Sequence, residues 1–410
     1  MPDHLLSSID PATIGARLAG ARKARGLTQQ QAAAALGVAR TTLTAIEKGE
    51  RRPRAAELVR LAALYGRQVG DLMRPLPARE ADSFVVQFRA ARTPGDSPAD
   101  ERRHADVRAF QEFCDDYLEL ERLTGAPLPR RYPDEYPTAD TDPERAAEEI
   151  ATSERMRLGL GDGPLADLWG LLETDVGLRV FALPFTDGRL AGLFAYTAEH
   201  GGCIAVNANH PEERRRWSAA HEYGHFLTDR HHADVQVLPR YRRLPEAERL
   251  ADAFARFFLI PGSGLVRRFQ ATRRAKDGPI TPADVLTLCQ LYRVSFQAMV
   301  LRLEELKLLT AGTWDGLSAE GFKPDAARAL LALPPIAHEL PRLPYRYEAL
   351  AVQAFAAGDL SEGQLARVLR TDRVAVRDRI RELTGTRFFE DGEVLQLALN
   401  LDHALVGSPR

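Results

Sequence analysis

Residues 12–75 carry short runs of apolar positions at helical spacing, and glycines separate the runs. This pattern predicts three consecutive helices, over 14–25, 29–36 and 40–48. Thr28 stands where the second helix needs an N-cap, and Gly37 can adopt the positive φ of a tight turn. Leu43 and Ile46 fall on the inner face of the third helix. The segment is therefore predicted to be an all-α bundle.

The rest of the chain alternates helical patterns with one short stretch of strands. Strand patterns occur over 178–183, 192–196 and 203–207. Helical periodicity dominates elsewhere, and polar, proline-rich segments interrupt it. We therefore expect a multidomain, mainly α protein in four parts: a helical bundle at 1–75, a helical connector and linker at 76–143, an α+β domain at 144–310 and a C-terminal helical region, regulatory or dimerising, at 311–410.

The composition is that of a globular protein without a membrane span. Of the 410 residues, 45% are hydrophobic and 27% are charged. No stretch approaches the ~20 apolar residues that a spanning helix needs, and the N-terminus lacks the pattern of a signal peptide. Three cysteines, Cys114, Cys203 and Cys289, form neither a zinc-ribbon spacing nor a disulfide framework. These features predict a cytoplasmic protein with reduced thiols.

The charge distribution separates the N-terminal bundle from the rest. Residues 1–75 contain twelve Lys and Arg against six Asp and Glu, although the whole chain has a formal net charge of -2. A basic N-terminal segment (the head, residues 1–75) followed by an acidic remainder (the body) favours a small nucleic-acid-binding module attached to another domain. A solvated basic face is the alternative that charge alone leaves open.

The head carries a recognisable set of core and turn residues: Leu27-Thr28-Gln29-Gln30, Ala33, Leu36-Gly37-Val38, Thr42-Leu43, Ile46-Glu47-Lys48-Gly49 and Arg52-Pro53. This set resembles the phage-repressor-like (XRE-type) helix-turn-helix family. One departure is Ala39, where the family usually has a capping serine, and the expected cost is ~1 kcal/mol of helix stability. The resemblance implies binding to a double-stranded DNA operator, association with the nucleoid, and a homodimer that reads two half-sites. A helical bundle that binds protein is the alternative.

In this family the second helix of the motif enters the major groove. By position, Arg40, Thr41 and Thr44 are the candidates for contacts with base edges, and Thr42 also faces outward. Four further residues are placed for phosphate contacts, which set register without reading sequence: Gln29, Lys48, Arg51 and Arg52.

The body contains His221-Glu222-Tyr223-Gly224-His225 within a predicted helix over 214–229. The i, i+4 spacing places the two imidazoles on one face, where they can bind a common ion. Glu222 lies beside that face and is the candidate general base for an attacking water. Zn²⁺ suits two neutral imidazoles and one carboxylate, with the fourth position open.

A second predicted helix, which begins near Glu246, supplies a carboxylate for the same ion. Glu248 and Asp252 share one of its faces, so Glu248 can be the third ligand while Asp252 accepts a hydrogen bond from a ligand imidazole. His231 follows at a spacing seen in other zinc peptidases, but the intervening turn position is Thr228, a β-branched residue unsuited to positive φ. We therefore favour Glu248, and expect His231 and its neighbour His232 on the surface.

The stretch around these helices resembles the ImmA/IrrE family of metallopeptidase domains. The matching residues are Ala147, Leu158-Gly159-Leu160-Gly161, Gly163-Pro164, Asn207, Arg214, Trp217, Ala251-Asp252-Ala253-Phe254-Ala255, Phe258-Leu259-Ile260-Pro261, Val294-Ser295 and Arg302-Leu303. The resemblance places the third zinc ligand on Glu248. It implies a zincin-like α+β fold with a small antiparallel sheet, and a gluzincin-like zinc endopeptidase. The edge strand at 192–196 is the candidate for holding an extended peptide.

Family members are known for cutting phage-type repressors after stress. We therefore expect a transcriptional regulator whose peptidase cleaves a repressor-like protein, itself or a partner. An alternative is a non-proteolytic regulator whose metallopeptidase-like domain is a sensor or dimerisation unit; an antitoxin is a third. Residues 351–369 show a second helix-turn-helix pattern followed by arginines. DNA contact and a helical dimerisation or regulatory unit both stay open for this segment, and base contacts are not expected from it.

Overall fold

In the computed structural model, the chain divides into two compact units, Met1–Val86 and Gln87–Arg410. The structure describes residues 11–24, 27–65, 69, 98–138, 141–231, 246–276, 278–334, 336, 343–384, 387–388 and 394–395. None of the helices in these ranges is both long and apolar enough to cross a membrane. The first part of the predicted linker, residues 76–97, lies outside the described residues.

The first unit contains four helices in its described part: α1 (Pro11–Ala24), α2 (Gln29–Leu36), α3 (Arg40–Glu47) and α4 (Ala55–Tyr65). Thr28 caps α2, and Gly37 ends it in the left-handed conformation at φ 73°. Leu43 and Ile46 of α3 are fully buried in the core. The predicted all-α helix-turn-helix bundle is confirmed.

One buried ion pair joins two of these helices. Glu47 at the end of α3 accepts two hydrogen bonds from Arg22 of α1, at 2.6 and 3.0 Å. Both side chains are nearly inaccessible to solvent. The pair fixes α3 against α1, because a buried charge needs its partner.

The second unit is mainly helical and contains one three-stranded sheet. Its helices are α5 (Pro98–Thr124), α6 (Pro143–Arg157), α7 (Leu168–Gly170, continued by π-helical Leu171–Val176), α8 (Glu212–Asp229), α9 (Glu246–Leu259), α10 (Gly262–Arg274), α11 (Pro282–Tyr292), α12 (Phe296–Glu305), α13 (Thr313–Ala319), α14 (Pro324–Leu330), α15 (Tyr345–Ala356), α16 (Glu362–Val368) and α17 (Arg373–Thr384). Its strands are β1 (Arg179–Leu183), β2 (Gly192–Thr197), β3 (Gly201–Asn207) and a later pair, β4 (Arg387–Phe388) and β5 (Val394–Leu395).

The main sheet is mixed, which corrects the antiparallel sheet expected from the sequence. Its order is β1-β3-β2; β2 pairs with β3 antiparallel, whereas β1 pairs with β3 parallel. Strands β1 and β2 do not form a hairpin, because β3 lies between them. In the loop that connects β1 to β2, the backbone N–H groups of Thr186 and Asp187 donate hydrogen bonds to Asp106 of α5. The edge position expected for 192–196 agrees with the place of β2.

Two further expectations need correction. The sequence pattern assigns 76–105 to the linker and starts the helix of the connector at 106, but residues 98–105 are helical, since α5 begins at Pro98. The C-terminal region is not wholly helical, because β4 and β5 follow α17. The aromatic residues of α5, with Tyr117 at their centre, pack on Phe181 of β1 and Tyr347 of α15. Helix α5 of the predicted connector is therefore part of the packed body.

Candidate metal centre

Helix α8 has an apolar face, which packs into the core, and an opposite face that carries two imidazoles. Ala219, Ala220 and Phe226 are fully buried against the sheet and neighbouring helices. His221 and His225 lie one turn apart on the other face and are half-buried. Glutamates occupy the first turn of the helix, where its dipole favours negative charge.

Helix α9 approaches α8 closely at Gly224. A Cβ at this position would lie 3.2 Å from the Cα of Ala251 and 3.2 Å from the ring of Phe254. The absence of a side chain at Gly224 therefore lets the two backbones come near each other. This close crossing carries Glu248, one turn before Ala251, to the two imidazoles.

The three predicted ligands converge on one point. The Nε2 atoms of His221 and His225 lie 3.1 Å apart. Glu248 places Oε2 at 3.3 Å from His221 Nε2 and Oε1 at 3.4 Å from His225 Nε2. Tetrahedral ligands at zinc bonding distances lie roughly 3.3 Å from one another, so the two nitrogens and the carboxylate oxygens have the spacing of a zinc site. Among the described residues, these three form the group of His and carboxylate side chains that could hold a metal ion.

Asp252 fixes the orientation of the first imidazole. Its Oδ1 accepts a hydrogen bond from Nδ1 of His221 at 2.9 Å, which leaves Nε2 as the atom that faces the cluster. Burial disfavours the charged imidazole, but hydrogen bonds to Asp252 and Glu248 outweigh this and raise the pKa of His221 to about 10. Burial also opposes the charge of Glu248, yet hydrogen bonds with both imidazoles lower its pKa to about 2. The cluster therefore stabilises positive charge at its centre.

Glu222 lies between the cluster and the edge of the sheet. A Cβ at Gly192, the first residue of β2, would sit 2.5 Å from Oε1 of Glu222. The carboxylate therefore occupies space that any other residue at position 192 would take. Burial raises the pKa of Glu222, although His221 and His225 act in the opposite direction. A half-buried carboxylate with a raised pKa beside an edge strand is suited to proton transfer.

A hydrogen-bonded group behind α8 was not predicted from the sequence. Tyr223 points away from the cluster and donates to Glu154 of α6 at 2.6 Å. Tyr136 donates to the same carboxylate at 2.8 Å, and Arg157 forms an ion pair with it at 2.7 Å. Glu154 is fully buried, so these partners are needed to hold its charge. The group fixes the rotation of α8 about its axis, and its signal in the sequence is only the tyrosine inside the histidine motif.

The rejected ligand His231 lies outside the cluster. It is exposed, its ring contacts Tyr196 of β2 at 5.1 Å between centroids, and its backbone N–H donates to Glu135. His232 lies outside the described residues.

In the first unit, the predicted DNA contacts divide by exposure. Arg40, Thr41, Lys48 and Arg52 are exposed, whereas Gln29, Thr42, Thr44 and Arg51 are half-buried. Gln29 donates to Glu47 at 2.9 Å and accepts from Thr44 at 3.3 Å. Arg51 forms two hydrogen bonds with Glu57. Gln29 and Arg51 thus have partners within the unit.

Comparisons with known proteins identify both parts of the chain. Residues 18–72 match the family model for helix-turn-helix domains, and residues 173–304 match the model for the IrrE N-terminal-like domain, a metallopeptidase-type family. The expected fusion of an XRE-type helix-turn-helix to an IrrE/ImmA-like domain is therefore confirmed. No curated protein sequence is significantly similar to this chain. The crystal structure of ComR from Streptococcus suis aligns over 92% of this chain and 89% of its own, at 12% identity and a TM-score of 0.16, too low to support an argument.

Proposed function

We propose that this chain is a DNA-binding transcriptional regulator whose second unit is a zinc-dependent endopeptidase. The proposal rests on the convergence of His221, His225 and Glu248 beside Glu222. Their donor atoms have the mutual spacing of a tetrahedral zinc site. The match of residues 173–304 to the IrrE-like family supports the same class of site.

Each residue of the proposed site would have a separate role in peptide hydrolysis. His221, His225 and Glu248 would hold Zn²⁺, and Asp252 would keep the His221 tautomer that leaves Nε2 free for the metal. When bound, the metal supplies Lewis acidity at the scissile carbonyl and at the attacking water. Glu222 takes the proton from that water and returns it to the leaving amine.

The sheet supplies a place for the substrate. Strand β2 pairs with β3 on one side, and no other described strand pairs with its second side. A peptide in extended form can hydrogen-bond to this edge, which begins at Gly192 beside Glu222. The scissile bond would then lie close to both Glu222 and the metal cluster.

The substrate we propose is a repressor-type protein, either a copy of this chain or a partner. Its cleavage would switch transcription at the operator bound by the helix-turn-helix, in a stress response. The regulator would act as a homodimer, because each head reads one half-site. It would act in the cytoplasm, on the nucleoid.

The test compares wild type with Glu222→Gln after reconstitution with Zn²⁺. We expect fragments of the chain, or of a co-purified repressor, for wild type and none for Glu222→Gln, with operator binding by gel shift retained in both. Glu246→Gln is the matched control, because this exposed glutamate lies one half-turn before Glu248. If zinc binds and Glu222→Gln alters neither cleavage nor regulation, the domain is a non-proteolytic sensor or dimerisation unit.

The metal assignment has its own measurement. Zinc content by elemental analysis should fall from about one per chain to near zero in His221→Ala and Glu248→Ala. His231→Ala and Glu246→Ala should retain it. Full occupancy in either ligand variant would show that the site lies elsewhere.

A further inference from the structure

The C-terminal end of the second unit repeats the local structure of the N-terminal helix-turn-helix. Helices α16 and α17 follow one another as α2 and α3 do. When Leu360 is aligned with Leu27, the two segments correspond without a gap through the turn and into α17. Neither family model covers this segment, since the matches end at residues 72 and 304.

The first helix of each pair begins with the same cap. Thr28 and Gln31 form a capping box on α2, and Ser361 and Gln364 form one on α16. The N-cap dihedrals are φ −75°, ψ 157° at Thr28 and φ −76°, ψ 160° at Ser361. Capping boxes at aligned positions, each formed by a hydroxyl residue and a glutamine, show that the two helices start in the same way.

The turns and cores also correspond. Gly37 has φ 73°, and Arg370 at the aligned position has φ 52°, a left-handed conformation that non-glycine residues seldom adopt. Leu43 of α3 and its counterpart Val376 of α17 are both fully buried. The turn of a helix-turn-helix is therefore present even though its glycine is not.

The outward face of α17 is that of a recognition helix. Arg373, Val374 and Arg377 align with the predicted base-contacting residues of α3, and all three are exposed, Val374 by 70%. In each pair, a side-chain contact joins the two helices at the same aligned residues. Gln29 accepts a hydrogen bond from Thr44 at 3.3 Å, and Glu362 forms an ion pair with Arg377 at 3.1 Å.

Charge and the elements that follow favour DNA as the occupant of this face. Residues 361–388 contain seven arginines and four acidic residues, within a chain of net charge -2.

The antiparallel pair β4–β5 follows α17, which gives the helix–helix–helix–hairpin order of a winged helix-turn-helix. The correspondence weakens at Arg379, which aligns with buried Ile46 and instead pairs with Glu348 of α15. This ion pair holds α17 against α15. Arg379 therefore packs its helix through a charge interaction, where Ile46 does so through apolar contact.

We propose that α17 is a second recognition helix that binds double-stranded DNA, with Arg373 and Arg377 contacting the duplex. Arg370 is not among these contacts, because its side chain is less exposed than that of Arg377, 30% against 63%, and pairs with Asp116 of α5 at 3.1 Å, which anchors the segment to the body. One chain would then carry two DNA-binding elements. This inference does not depend on the peptidase, since none of its residues belongs to the metal cluster.

The test is a salt titration of the full-length protein against a fluorescein-labelled mixed-sequence 40-bp duplex. Arg373→Ala/Arg377→Ala should bind about 10-fold more weakly at 50 mM KCl, and the slope of log K against log salt should fall by about 1.8, at ~0.9 for each phosphate that the variant no longer neutralises. Arg273→Ala/Arg274→Ala on α10 is the matched control, because it removes the same charge from exposed positions. Equal affinities and slopes in the two double variants would overturn the proposal.

A second readout detects proximity directly. All three native cysteines are buried, so a cysteine placed at an exposed position can be labelled selectively with a photo-crosslinker. Val374→Cys should cross-link to the duplex, and Leu330→Cys, 88% exposed before substitution on α14, should not. If Val374→Cys instead links to a second protein chain and DNA remains unmodified, α17 is a protein-docking helix and the proposal is wrong.

Discussion

Gly192 and Glu222 share a space that admits only one side chain. Oε1 of Glu222 lies 2.5 Å from the point where a Cβ on Gly192 would stand. Gly192→Ala should therefore displace the carboxylate while leaving the three metal ligands in place. We expect peptide hydrolysis to fall about 100-fold, because a displacement of ~1 Å at a reacting group has this effect. Zinc content measured on the same samples should not change.

The control for this variant is Gly188→Ala in the preceding loop. A Cβ at Gly188 would meet no atom within 4 Å. Gly188→Ala should therefore keep wild-type hydrolysis. An equal loss in both variants would mean that the loop, and not the contact with Glu222, determines the rate.

Asp252 should affect zinc affinity without being a ligand. Asp252→Asn removes the anionic acceptor of the His221 Nδ1–H bond. Partners of this kind typically change metal affinity by roughly 10–100-fold, so we expect weaker binding and full occupancy only at higher zinc. Competition with a fluorescent zinc chelator measures this shift. Glu246→Gln on the same helix should bind as wild type, and an unchanged affinity in Asp252→Asn would remove Asp252 from the site.

Removal of the proposed metal should destabilise the second unit, because the three proposed ligands lie on two different helices. Zinc that binds only the folded state at 100 times its Kd stabilises that state by about 2.7 kcal/mol. Calorimetry should therefore show a Tm several degrees lower after chelation, with recovery on adding zinc. The double variant His221→Ala/Glu248→Ala should show no response. An identical response in that variant would place the stabilising metal elsewhere.

Much of the fold and the site follows from local pattern, and the remainder depends on long-range packing. The i, i+4 histidines and the carboxylates of α9 could be predicted because helical spacing alone decides which side chains share a face. The parallel pairing of β1 could not, because it depends on which strands become neighbours in the folded sheet, where β3 lies between β1 and β2. The carboxylate of Glu154 behind Tyr223 was missed for the same reason.

The turn residues show a second limit of sequence pattern. Gly37 predicts a left-handed turn because glycine adopts positive φ readily, whereas Arg370 adopts the same conformation without that signal. Its side chain is held by Asp116, an acidic residue of α5. At Arg370 the left-handed conformation is thus accompanied by a tertiary contact, whereas at Gly37 the residue type alone indicates it.

The missing cap of α3 offers a stabilising substitution. Ala39 has the extended dihedrals of an N-cap, φ −67° and ψ 147°, but makes no side-chain hydrogen bond to the helix. Ala39→Ser supplies an oxygen that can accept from a first-turn N–H, which is worth ~1 kcal/mol. In a domain of this size the Tm should rise by roughly 4–8 °C. Ala39→Val adds bulk without an acceptor, and a similar rise in that control would exclude capping as the cause.

The buried pair of Arg22 and Glu47 should control the stability of the head. Glu47→Ala leaves the Arg22 charge buried without its partner, which typically costs ~3–5 kcal/mol, a large fraction of the stability of a small domain. Hydrogen exchange should therefore show loss of protection in α1 and α3 while α8 and α9 stay protected. Glu50→Ala is the control, because Glu50 is exposed and lies 3.9 Å from Lys48, a pair worth ~0–1 kcal/mol. Equal protection of the head in the two variants would show that the ion pair does not hold α3, and operator binding should then survive Glu47→Ala.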